Sequence, residues 1–408
     1  MSVDAVELLQ QIEDIGRDFE RGGWSRHVFD PAERELVAWF RAQAKVLGLR
    51  VETDRNGNEW AWWGERGPGA IAVGSHLDSV PGGGAYDGPL GVVSALAAVS
   101  RLQAEGFEPA VPIVVAVFAE EEGSRFGVAC LGSKLMSGSI SPERAAALVD
   151  RDGRSFADVA SKHGLDAGGL GRDDELLADL SLFVELHVEQ GRGLIDLGSP
   201  VAVASSILAH GRYRLVFSGE GNHAGTTRMA DRNDPVVAFG ETVVAAARIA
   251  GKYDDSDHAA RATVGRMVPV PGGSNVIASR VDAWLDVRAD DDAAAHSLRD
   301  RIVAAAYEAT VGRGCTLEVV EESYGPLVVF DDALQRRLLD VLGDVPVLAT
   351  GAGHDAGVLG EVLPTAMLFV RNPTGVSHAP SEGASDDDCR AGTDALTAVL
   401  RELAGVPA

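Results

Sequence analysis

The stretch GSHLDSVPGGGAYDG, residues 74–88, sets His76, Asp78 and Asp87 close together among glycines that contribute little to packing. Three other places offer side chains of the same kind. Glu120, Glu121 and Glu122 follow one another in FAEEEGSRF, Glu185, His187 and Glu189 alternate in LSLFVELHVEQG, and His378 sits in NPTGVSHAPSEGA. Taken singly, each fits a polar loop or a frayed strand end facing water, and a lone His-x-Asp is weak evidence of a site. Taken together they supply imidazole and carboxylate without thiolate, a donor set that suits Zn²⁺ or Mn²⁺ and is poor for Cu(I) or iron–sulfur clusters. A carboxylate able to bridge allows two ions about 3.5–4 Å apart. Asp78, on the same strand face as His76, is placed to hold that imidazole by its other nitrogen. One carboxylate must stay free to act as a base.

These residues need a scaffold that brings them to one place. AIAVGSHLDSV, VPIVVAVFAEEEG and LSLFVELHVEQG each read as an apolar, β-branched strand ending abruptly in His, Glu or Asp. Between the first two, PLGVVSALAAVSRLQAEG has helical spacing and a glycine stop, which makes a strand–helix–strand unit of a largely parallel sheet. Ligands of such sheets sit beyond the carboxyl ends of the strands, where the polar residues fall. The N-terminal MSVDAVELLQQIEDIGRDFE is expected to be an amphipathic acidic helix. From about residue 210 the pattern changes to alternating strands with two long helices, the mark of a smaller α+β layer, and the first pattern resumes at VPVLATGAGHDAG. The expectation is an α/β catalytic domain over residues 1–209 and 327–408, interrupted by an α+β domain over 210–326.

Composition narrows the partners. Lys+Arg 36 against Asp+Glu 61 gives a net charge of -25, which repels nucleic acid and anionic membranes. No run is long and apolar enough to span a bilayer, and the N-terminus lacks the basic start and apolar core of a signal peptide. Cys130, Cys315 and Cys389 stand far apart, which excludes a disulfide framework and fits a reducing, cytoplasmic compartment.

In order along the chain, GSHLDSVPGGGAYDGPLG, AEEEGSRFG, ELHVEQG, NHAGTTRMADRNDP, GGSNVIASRVDAWLDVRA and GVSHAPSE resemble the amidase/hydantoinase/carbamoylase branch of the dinuclear-metal aminoacylase and carboxypeptidase superfamily. That branch holds N-carbamoyl-L-amino acid hydrolases, allantoate amidohydrolases and β-ureidopropionases. The resemblance implies a metallopeptidase-like domain with an inserted lid and dimerisation domain, a homodimer, and two divalent ions per subunit, Zn²⁺ or Mn²⁺ with Co²⁺ also compatible. By the same resemblance His76 and His187 hold one ion, Glu122 and His378 the other, and Asp87 bridges them. Glu121 is then the general base and His223 stabilises the tetrahedral intermediate from the neighbouring subunit. Gln190, Asn275 and Arg288 hold a small anionic ureido-type substrate, the last two by its carboxylate. The peptide bond after Asp87 is expected to be cis. Arg228 departs from the pattern, standing in GTTRM where many relatives have proline. An N-acyl, N-formyl or formimino amino acid deacylase, or an aminopeptidase, would share the metals and the base. A non-catalytic binding module would be expected to have lost them.

Overall fold

Ala70–His76 and Ile113–Phe118 are strands buried at every position, as expected of apolar runs covered on both faces. The computed structural model describes residues 3–254 and 259–405. Within it these two strands pair in parallel, with Val73 opposite Val115. The helix Pro89–Ala104 connects them, with proline in its first turn and Gly106 at φ 73° just past its end. Leu180–Val188 pairs in parallel with Ala70–His76, and Thr365–Val370 pairs in parallel with Leu180–Val188. Four central strands thus run in one direction, and their carboxyl ends share one edge of a nine-stranded sheet. Antiparallel strands Glu59–Trp63 and Val201–Ile207 flank them. The helix Pro89–Ala104 lies close on the sheet at Gly91, where an added Cβ would come within 2.2 Å of the Leu186 carbonyl oxygen. Asp386–Ala404 packs beside it over the same apolar core.

The described chain divides into two compact units, residues 1–205 with 330–408, and 206–329. The second unit is built on an antiparallel sheet in the order Thr316–Gly325, Ala209–Ser218, Arg280–Ala289 and Arg261–Val270. Period-2 alternation places Val281, Ala283, Leu285 and Val287 in one core with the helices Pro235–Asp254 and Asp292–Gly312.

The N-terminal segment departs from the expected long helix. Only Ala5–Gln11 is helical, capped by the Asp4 carboxylate on the Val6 amide. Beyond it the Glu13 carbonyl accepts from the Trp24 indole and Gly16 takes φ 77°, so the chain turns instead of continuing; Met1 and Ser2 lie outside the described residues. No helix among the described residues is long and apolar enough to cross a membrane.

Candidate metal centre

His76 is the last residue of its strand, and the loop after it folds back so that Asp87 faces the same imidazole. The turn is made at Gly88, whose φ is 84° and where a Cβ would sit 2.4 Å from His76 Cε1. Only glycine meets both demands. The expected cis bond after Asp87 is absent, because Val270–Pro271 is the one cis peptide among the described residues and the backbone freedom of Gly88 turns the chain without it. Glu382 fixes the loop from the far end of the sequence, its Oε1 accepting from the Tyr86 amide at 3.1 Å and the Asp87 amide at 3.0 Å.

The two oxygens of Asp87 face different partners. Oδ1 lies 3.5 Å from His76 Nε2 and 3.2 Å from His187 Nε2. Oδ2 lies 3.5 Å from His378 Nε2, which is itself 3.4 Å from Glu122 Oε2. Two groups of donor atoms therefore share Asp87: His76–Asp87–His187 and Asp87–Glu122–His378, each within 4.8 Å. The tautomers make the case for cations. His76 Nδ1 meets the Asp78 carbonyl at 3.1 Å and His187 Nδ1 meets the Val188 carbonyl at 2.9 Å, so both Nδ1 atoms must donate. Where the rings are neutral, each Nε2 presents a lone pair to a carboxylate oxygen, and neither has a hydrogen-bond partner although both are buried; without a cation the same carboxylates override burial and favour the protonated rings, both held above the usual histidine range. Lone pairs set against one another in this way fit a divalent cation between them.

The surrounding charge points the same way. Burial opposes ionisation of Asp87, yet the charges of His187 and His76 hold it well below the usual carboxylate range. Burial, reinforced by Asp355 and Glu122 against the pull of His76, pushes Glu121 well above that range. Burial and then Asp87 push Glu122 up to about 8. Carboxylates crowded this closely need positive charge to stay ionised.

Glu121 belongs to neither group. Its Oε1 accepts from the Cys130 thiol at 3.2 Å and its Oε2 lies 3.6 Å from His76 Nε2. Glu120 turns away, accepting from the amides of Arg125 and Phe126. Asp78 stands where expected, its Oδ1 3.4 Å from His76 Nδ1 beside its own main-chain oxygen at 3.1 Å, and its carboxylate also accepts from the Glu121 and Glu122 amides at 3.2 and 3.1 Å. Asp78 therefore orders the end of the glutamate run. Gln190 donates to Asp87 Oδ2 at 2.8 Å, and Ser377 donates to the same oxygen at 3.0 Å.

In the second unit, His223 is exposed on a short strand and pairs in register with Val276, so the main chains of His223 and Asn275 run side by side. Arg288 is engaged by Asp286, with Nε 2.8 Å from Oδ1. Arg228 pairs with Asp231 on the surface.

Four residues near the donors carry no assignment from the sequence. Glu382 and Cys130 are two of them. His354 and Asp355 are the others, fully enclosed, with the His354 ring 4.5 Å from that of His187 and both its nitrogens without partners. Burial, then the charge of His187, holds His354 well below the usual range for histidine. Its signal is present in VPVLATGAGHDAG, an apolar run ending in His-Asp like the one that delivers His76.

A family model described as peptidase family M20/M25/M40 matches residues 72–402. Among curated proteins the chain is 33% identical to an N-carbamoyl-L-amino acid amidohydrolase of Geobacillus stearothermophilus, covering 98% of this chain and 97% of that one. It is 31% identical to an allantoate amidohydrolase of Bacillus subtilis, covering 94% and 93%. A crystal structure of an amidase of the hydantoinase/carbamoylase family from Burkholderia multivorans superposes with a TM-score of 0.86 at 29% identity, covering 100% of this chain and 99% of that one.

Proposed function

The chain belongs to peptidase family M20/M25/M40, and from that premise we propose that it hydrolyses a linear C–N amide bond in small ureido carboxylates. N-carbamoyl-L-amino acids and allantoate, for which its relatives are named, are such compounds. The carrying observation is Asp87, set between two pairs of ligand-type side chains with an uncommitted carboxylate, Glu121, beside them. His76, His187 and Asp87 would hold one divalent ion and Asp87, Glu122 and His378 the other, with nitrogen and oxygen donors that suit Zn²⁺ or Mn²⁺ and admit Co²⁺. Bound ions supply Lewis acidity and a nucleophile at neutral pH.

The chain's own residues do the rest. Glu121, oriented by Cys130, takes the proton of the attacking water and returns it to the leaving nitrogen, a role worth roughly 10²–10⁴-fold. His223 stabilises the developing oxyanion. Arg288, released from Asp286 when substrate arrives, clamps the substrate carboxylate with its planar fork, assisted by Asn275 and Gln190. The inserted unit, over residues 210–326, acts as lid and homodimer interface. Two features support that assignment: Arg261–Val270 is an edge strand of its sheet, and Val236, Val237 and Val244 are exposed on the adjoining helix. The three cysteines are free and buried, in keeping with a cytoplasmic setting.

The test is a substrate panel. Protein stripped by chelation and reloaded with Zn²⁺, Mn²⁺ or Co²⁺ is offered N-carbamoyl-L-amino acids, allantoate, N-acetyl and N-formyl amino acids and dipeptides, with ammonia and formate measured separately. Metal-dependent ammonia release from a ureido carboxylate is expected. Turnover confined to N-acyl amino acids or dipeptides overturns the assignment.

A further inference from the structure

We propose that Arg232 is a positioning residue for His223, clamping the turn that keeps the His223 ring ready to donate a hydrogen bond through Nε2. The inference rests on the reading of His223 as the group that stabilises the oxyanion. All of its parts lie within the second unit.

The segment needs a clamp because packing cannot hold it. None of residues 221–231 is buried, so His223 is fixed by hydrogen bonds or not at all. Its amide donates to Asn222 Oδ1 at 2.8 Å, and its carbonyl accepts from the Thr227 amide at 3.1 Å and the Thr227 hydroxyl at 2.8 Å. These bonds close residues 223–227 into one α-turn. Inside the turn the Gly225 amide lies 3.1 Å from His223 Nδ1. A backbone amide can only donate, so Nδ1 is the acceptor and the neutral ring carries its hydrogen on Nε2. An oxyanion needs a donor, and Nε2 is the nitrogen left to supply one. The ring keeps that hydrogen throughout, because Glu121 makes both proton transfers.

Arg232 reaches back over this turn. Its Nη2 donates to the Ala224 carbonyl at 2.6 Å and to the Thr227 carbonyl at 3.0 Å, and its Nε donates to the Thr227 carbonyl at 3.2 Å. The two carbonyls bracket Gly225 in sequence, so one guanidinium ties both ends of the piece that fixes the ring. The bonds are charge-assisted, and a planar fork meets two carbonyls at once where an ammonium offers a point charge. Without the clamp the Gly225 amide can swing, and the exposed ring is free to turn about its own bonds.

Arg232→Met, Arg232→Lys, His223→Ala and the double variant His223→Ala/Arg232→Met separate this role from plain loop stability. With metal-loaded protein and the ureido carboxylate that it turns over, Arg232→Met should lower kcat at least about tenfold with KM within about twofold, since a misplacement of about 1 Å can cost on the order of a hundredfold. The double variant should be no slower than His223→Ala, because Arg232 then has nothing left to position. Arg232→Lys keeps the charge without the fork; its rate should lie between wild type and Arg232→Met, and it carries the test if the methionine variant does not fold. Hydrogen exchange of residues 223–227, read by mass spectrometry without turnover, should quicken at least about tenfold in Arg232→Met while the rest of the second unit keeps its wild-type exchange. Unchanged kcat in a folded Arg232→Met protein overturns the proposal, as do additive losses in the double variant or unchanged exchange in the turn. If wild-type protein turns over no substrate of the panel, the functional reading falls, and the exchange measurement still decides whether Arg232 holds the turn.

Discussion

The two oxygens of Asp87 are held apart by different neighbours, His76 and His187 on one side and His378 on the other, and the proposed bridging of two ions rests on that separation. Glu121 stands beside this arrangement without entering it, and that separation makes its role testable. Glu121→Gln should retain both ions, measured by metal analysis, while kcat falls by at least about a hundredfold; near-normal turnover would remove Glu121 from the mechanism. At this scale the sequence was legible where a side chain ends an apolar strand, as His76 and His187 do. It was not legible where the role depends on a partner far away in the chain. Glu382 acts through the amides of Tyr86 and Asp87, and Cys130 through one oxygen of Glu121, and neither link leaves a pattern in neighbouring residues.

Elements position these side chains through close approach. Gly88→Ala forces a Cβ into the ring of His76 at a backbone angle that alanine resists, so the loop must move. Loss of bound metal with a retained far-ultraviolet spectrum is the expected outcome, read by metal analysis and circular dichroism. A second element carries a pH dependence. Glu33, near the start of the helix Pro31–Val46, accepts from the Phe29 amide, and burial pushes its carboxyl up from 4.5 to about 8. The fold favours the neutral acid. Its stabilising contribution is therefore complete below pH 4.5 and is lost as pH rises to about 8. Glu33→Gln keeps an acceptor and cannot ionise, so the stability of the variant relative to wild type should climb across that window by a few kcal/mol, at most about 1.4 kcal/mol for each step of one in pH. Denaturant melts at pH 5 and pH 8.5 measure it, and parallel curves would contradict it. The strands and the helix after Gly88 were legible from apolar runs and turn residues. The short N-terminal helix was not, because Trp24 captures the Glu13 carbonyl across the fold.

The whole molecule separates two kinds of work. His76, Asp87, Glu121, Glu122, His187 and His378 lie in the first unit, whereas His223, Asn275 and Arg288 lie in the second. If His223 serves the partner's site, mixing His223→Ala with Glu121→Gln protein should restore activity in heterodimers, to about a quarter of wild type per active site when subunits exchange at random. Proven exchange without recovery would confine His223 to its own chain or remove it from catalysis. The bipartite layout was legible as a change in strand and helix rhythm, while the pairing of Arg288 with Asp286 two residues away depends on a side-chain geometry that the rhythm does not encode. The clasp of Glu382 on Asp87 joins residues nearly three hundred positions apart. During synthesis the histidine and aspartate of residues 76 and 87 leave the ribosome long before His378 and Glu382 exist. Until that late segment docks, the nascent chain has the His76–Asp87–His187 group but lacks His378 of the second group, and its loop is unsecured. Capture of the second ion is thereby deferred to the close of folding, and a ribosome-stalled chain ending before residue 378 should emerge without the paired ions.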